Sequence, residues 1–99
     1  MAMIDASNLS SLVGYTAIAA GTAEGEVDGH EGELIKLDNG MIFELSEFSL
    51  LSDYSPDVVV FQRTFSVTEL KQLGVKWEEP LVVYKLVIGE ELVEVRRLL

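Results

Sequence analysis

The sequence predicts a mainly β domain, a small antiparallel barrel or strongly bent sheet of about five or six strands with one short helix. Three observations predict it. Two apolar runs flank the turn Asp38-Asn39-Gly40, a second pair flanks Gly89-Glu90, and a β-branched run, Val58-Val59-Val60, lies between the two hairpins. A chain of 99 residues has room for one hydrophobic core, so residues 1–99 form a single domain.

Along the chain, Asp5 or Ser7 can cap a helix running through Leu9, Leu12 and Val13, and residues 1–13 are therefore a short helix or a loose lead. From Tyr15 to Val27 the glycines argue against a continued helix and for a long, bent strand. In the first hairpin a three-residue loop with Gly40 in the left-handed region sets Leu37 opposite Met41 and Ile35 opposite Phe43. That register gathers Ile35, Leu37, Met41, Phe43 and Leu45 on one face and leaves Leu34, Lys36, Ile42 and Glu44 on the other.

Ser52-Asp53-Tyr54-Ser55-Pro56 reads as a turn-rich approach to a buried strand, Val58 to Phe61, which the proline opens without harm. Ser66 and Glu69 have capping-box spacing, Val67, Leu70 and Leu73 follow at helical intervals, and Gly74 stops the run. A helix over about residues 67–73 follows. In the last hairpin Gly89-Glu90 fits a type II′ turn, which sets Leu86 opposite Val93, Tyr84 opposite Val95 and Lys85 opposite Glu94.

The phrase Leu37-Asp38-Asn39-Gly40-Met41-Ile42-Phe43-Glu44 resembles the hairpin of small bacterial SH3-like β-barrel domains of unassigned function. The resemblance covers eight residues of turn chemistry; it implies an SH3-like barrel and carries no activity with it.

Seventeen acids against seven Lys and Arg give a formal net charge of −10, which repels a phosphate backbone or an anionic membrane surface. Direct nucleic-acid binding is not expected. The acids are uneven: residues 1–50 hold nine acids and one base, residues 51–99 eight acids and six bases. With 48% hydrophobic and 24% charged residues the chain is expected to fold rather than remain disordered. It has no cysteine, so disulfides and thiol chemistry are excluded. The stretch Leu12 to Ala20 is too short to span a bilayer, and the start lacks the basic residues of a signal peptide, so a cytoplasmic location is the default expectation.

The segment Thr22 to Glu33 carries five acids and the single histidine. Glu24, Glu26 and Asp28 before Gly29 echo the start of a calcium loop, but the position that needs a bidentate glutamate is Ile35. Period-two spacing instead puts the three acids on the solvent face of a strand, with Gly29 and Gly32 turning the chain. His30 has no second histidine, cysteine or nucleophile to join in a triad or a three-ligand metal site, and an exposed turn position accounts for it. Neither catalytic residues nor a cofactor or metal site is expected.

Among the aromatics, Phe43, Phe61 and Tyr84 are explained by core packing, whereas Tyr54 and Trp77 lie in turn-like segments and are candidates for an interaction surface. Arg96 and Arg97 are expected to pair with acids across the sheet. Val83, Val87 and Leu92 fall on the face opposite Tyr84 and Leu86 and form an apolar strip unless the N-terminal segment or a second subunit covers it. The expected function is a non-enzymatic, acidic interaction or assembly module with a protein partner, acting as a two-fold homodimer. The alternative is an acidic mimic or inhibitor of a nucleic-acid-binding protein.

Overall fold

The structure, a computed structural model, describes residues 6–99. Helix α1 (Ala6–Ser10) is a single turn and a half. It does not run on through Leu12 and Val13: Leu12 and Val13 close tight turns onto the Leu9 and Ser10 carbonyls, and Gly14 takes φ +85°. Ser7 falls within the span of the helix, and Asp5 falls outside the described residues.

Eight strands follow: β1 (Thr16–Thr22), β2 (Glu26–Val27), β3 (Leu34–Lys36), β4 (Ile42–Leu45), β5 (Asp53–Tyr54), β6 (Asp57–Phe65), β7 (Leu81–Ile88) and β8 (Glu91–Arg97), with helix α2 (Val67–Gln72) between β6 and β7. Six of them form one antiparallel sheet in the order β1-β6-β7-β8-β4-β3, and β2 pairs with β5 in a separate two-stranded ribbon. The six-stranded sheet curls into a half-barrel. At one end its two edges meet, where Glu24 donates to the Lys36 carbonyl (2.8 Å), Asp38 donates to the Thr22 carbonyl (3.0 Å) and Ala23 sits opposite Leu37.

Both predicted hairpins have the expected registers. In the first, Ile35 faces Phe43 and the Leu37 amide donates to the Met41 carbonyl, with Gly40 at φ +91°. One residue of slip would send Ile35, Leu37, Phe43 and Leu45, all buried here, to the solvent side. In the second, Leu86 faces Val93 and Tyr84 faces Val95. Gly89 has φ +56° and Glu90 is not in the positive-φ region, the type II′ signature.

The core lies in the concavity of the half-barrel, where Phe43, Ile35, Leu45, Leu86, Ile88, Val58, Val60 and Val93 are fully buried. β6 alternates rather than running buried throughout: Val58 and Val60 point inward, while Val59 and Phe61 are half-buried on the convex face. Phe61 is thus not a core residue, because its register partners Ala17 and Lys85 belong to the outer face. Tyr84 does pack against the core, tilted onto Phe43 with ring centroids 5.9 Å apart. Tyr54 lies in β5, paired with Glu26, rather than in a turn.

Arg96 forms the predicted cross-strand pair, with Glu44 at 2.6 Å. Among the described residues Arg97 pairs with no acidic side chain; its guanidinium lies 5.7 Å from the Tyr84 ring centroid and donates to the Leu99 carbonyl. Its inter-strand neighbour is Phe43, which leaves no carboxylate opposite it.

Candidate interaction surface

The acidic glycine segment resolves into a clamp. Glu33, 8% exposed, turns its carboxylate back to accept hydrogen bonds from the amides of Asp28 (2.9 and 3.2 Å) and Gly29 (2.8 Å). Gly29 in turn accepts from the Ser49 amide at 2.8 Å, so the clamp fixes residues 28–33 against the loop after β4. Buried carboxylates need such partners, and charge-assisted bonds to backbone amides are among the stronger ones. Asp28 and His30 are exposed and offer ligand atoms within 4.8 Å of those of Glu33. The Glu33 carboxylate already accepts from two backbone amides, and Ile35, at the place of a calcium loop's closing glutamate, is 1% exposed in the core. Glu24, Glu26 and Asp28 face solvent while Val27 is buried, the period-two pattern expected.

The five predicted surface residues separate into two groups. Tyr54, 75% exposed, lines a shallow depression of about 470 Å³ with Val59, Val87, Asp53 and Asp57, and Leu92 is the strand partner of Val87. Trp77 and Val83 lie toward the other end of the β6–β7 pair. Along the nine residues of β6 the two ends are about 26 Å apart.

Val83, Val87 and Leu92 do not form a bare strip; all three are half-buried. The N-terminal segment crosses the convex face beside them. Lys85 Nζ donates to the Ser11 carbonyl at 3.0 Å and stands 4.8 Å from the Tyr15 ring centroid. Val83 shares a shallow cleft with Tyr15, Phe65 and Glu94. Burial pushes the Tyr15 hydroxyl pKa up, Glu94 adds to the rise and Arg63 opposes it, so the phenol stays neutral over the physiological range.

At the Trp77 end β6 and β7 outrun their neighbours. β1 reaches only Gln62 and β8 only Tyr84, so the pairs Arg63–Val83, Thr64–Val82 and Phe65–Leu81 form a two-stranded arm topped by α2. The helix is defined by its ends. Ser66 Oγ accepts from the Glu69 amide and Glu69 accepts from the Ser66 amide, both at 3.1 Å, the reciprocal box read from the sequence. At the far end the Gly74 amide donates to the Lys71 carbonyl and the Val75 amide to the Leu70 carbonyl, a Schellman pair that requires the left-handed Gly74 (φ +79°). Leu70 is buried beneath the helix and stands apart from the main core cluster. The box holds the Glu69 carboxyl below the usual glutamate range, chiefly through the Ser66 amide and with a smaller contribution from Arg63.

This capped turn delivers Leu73, Val75 and Trp77 to the surface, 66%, 43% and 52% exposed, and Leu81 and Val82, which open β7 and point to opposite faces of it, are 39% and 40% exposed. Trp77 and Val75 line a cleft of about 340 Å³ flanked by Lys71, Lys76 and Glu78. Sequence reading found Trp77 here and missed Leu73, Val75, Leu81 and Val82. Leu73 counts as a core position of the helix by its spacing, but the Schellman turn swings it out. Leu81 and Val82 begin a strand whose first residues have no neighbour on either side of the pair.

Charge divides along the same axis. Residues 63–83 hold three bases and three acids, whereas the rest of the chain holds four bases and fourteen acids. Four of those acids, Asp53, Asp57, Glu90 and Glu91, ring the β7–β8 turn at the end opposite the arm. Among the described residues no helix is long and apolar enough to cross a membrane. No protein-family model matches the chain, and neither a curated protein nor a solved structure matches it.

Proposed function

We propose that the chain is a non-enzymatic interaction or assembly module whose binding surface is the arm around Trp77. The observation that carries this reading is the coincidence of exposure and neutrality. Five large apolar side chains are between 39% and 66% exposed on the segment where acids and bases balance, while the body of the molecule carries the whole net charge. Of the five, Trp77 and Val75 share one cleft with Lys71, Lys76 and Glu78, and an aromatic anchor in a cleft with charges at its rim is the usual make-up of a protein interface.

Capture from native lysate with two baits, the natural chain and Trp77→Ser, tests it. A species retained by the first and lost with the second supports the arm as the binding surface. A species that survives Trp77→Ser but is lost with the double charge reversal Glu90→Lys/Glu91→Lys would refute it. That result would transfer binding to the acidic end and favour the acidic mimic of a nucleic-acid-binding protein instead.

A further inference from the structure

We infer that the arm docks on the arm of a second copy of this chain, in a two-fold contact centred on Trp77. This rests on the reading of the arm as the binding surface and names its occupant. Two copies that each carry −10 repel one another on approach through the body, where fourteen acids outnumber four bases and four of the acids ring the β7–β8 turn. The arm is the exception. Its charges sum to zero, and it lies at the end of β6 remote from Asp53, Asp57, Glu90 and Glu91.

The charges on the arm are also arranged to match themselves. Lys71 and Lys76 stand beside Trp77 on the same cleft as Glu78, and Glu79 follows directly. Among the described residues none of these four makes an ion pair within its own chain, whereas Arg63 and Glu69, at the base of the same arm, do pair. A two-fold axis lays a patch on its own copy, so that a residue on the axis meets itself, while a residue to one side meets one from the opposite side of the other chain and the reciprocal contact forms automatically. An axis through Trp77 that sets the lysines of one copy against Glu78 and Glu79 of the other encloses Trp77 and Val75 between the charges. A basic partner would gain more at the acidic end, and an acidic partner would gain nothing from Glu78 and Glu79. A second copy satisfies both signs.

The contact also differs from a pairing through Val83, Val87 and Leu92, which the N-terminal segment partly covers. It leaves the two acidic bodies pointing apart, so the assembly closes at two copies and stays soluble.

Sedimentation equilibrium with charge-exchanged arms tests the inference. At tens of micromolar the natural chain should approach twice its 10.9 kDa mass. Lys71→Glu/Lys76→Glu and Glu78→Lys/Glu79→Lys should each associate at least about tenfold more weakly, since like charges then face one another across the axis. An equimolar mixture of the two variants should regain the dimer mass, because positions 71, 76, 78 and 79 are then all acidic in one copy and all basic in the other. Recovery on mixing also shows that both variants are folded.

As the only tryptophan, Trp77 should shift its emission to the blue as the natural chain is concentrated. A natural chain that holds a concentration-independent mass of 10.9 kDa overturns the second copy. If lysate capture still depends on Trp77 in that case, the arm remains the binding surface for another protein; if it does not, both readings fall. A natural dimer whose mass is unaffected by either double variant overturns the arm as its interface.

Discussion

Replacing Gly29 by alanine should be among the most damaging small changes available to this fold, and the structure says by how much. A Cβ built at Gly29 lies 2.3 Å from the Ser49 carbonyl oxygen and 2.8 Å from that of Leu51, both backbone atoms that no rotamer change can move. Gly32, three residues on, has nearly the same backbone conformation, φ +86° against +83°, but a Cβ there meets nothing within 4 Å. Both substitutions incur the cost of an L-residue in the left-handed region, about 1 to 2 kcal/mol.

Gly29→Ala must in addition displace the backbone at residue 29 from residues 49 and 51, and with it the amide that Glu33 holds. That breaks the bond from the Ser49 amide to the Gly29 carbonyl, worth about 1 kcal/mol, and pulls the Gly29 amide off the Glu33 carboxylate, worth about 1.5 to 3 kcal/mol for a charged acceptor. The total is about 3.5 to 6 kcal/mol, against about 5 to 15 kcal/mol for the whole stability of a domain of this kind. Urea denaturation followed by far-ultraviolet circular dichroism measures both variants against the natural protein. If Gly29→Ala costs no more than Gly32→Ala, the two loops are not packed backbone to backbone, and the clamp described for Glu33 is wrong.

Glu33→Ala should destabilise by about 2 to 4 kcal/mol in the same assay, because it strands the Asp28 and Gly29 amides in a buried site; a loss below about 0.5 kcal/mol would mean that water reaches them. Gly40→Val should cost about 1 to 3 kcal/mol, all of it conformational, since φ is +91° and the space around it is open. An unchanged midpoint would indicate a different loop. The depressed Glu69 carboxyl contributes to helix α2 at any pH above the ordinary glutamate range, and that contribution is lost as pH falls through its lower folded value. The Ser66 amide resonance should titrate with Glu69 below that range in the natural protein and lose its capped shift in Glu69→Ala; titration at the ordinary glutamate value would refute the box. Excess chelator and added calcium should leave the thermal midpoint unchanged, because Glu33 is engaged by the backbone and Ile35 holds the place of the closing ligand. A rise of several degrees with calcium would show that Asp28, His30 and Glu33 bind it.

What the sequence determined by itself is everything governed by contacts a few residues apart. Asp38-Asn39-Gly40 specifies a loop that admits one register, and that register sends Ile35, Leu37, Phe43 and Leu45 to the same side. Gly89 does the same for the β7–β8 pair, and Ser66, Glu69 and Gly74 bound α2 by satisfying its own terminal amides and carbonyls. These features are legible because turn and cap chemistry acts over three or four residues and needs no knowledge of the rest of the chain.

Only the tertiary structure decided which strands lie side by side. Pairing β1 with β6 and β4 with β8 joins partners 35 to 46 and 50 to 54 positions apart, and the choice depends on the sum of apolar area buried in the concavity rather than on any local signal. The same sum decides that Phe61 faces outward and that Glu33 turns inward. It also leaves the ends of β6 and β7 without neighbours. From that follows the one property of the surface that no linear reading contains: the apolar arm and the acidic turn stand at opposite ends of a single strand pair, because strands as long as β6 and β7 must project beyond the shorter ones that flank them.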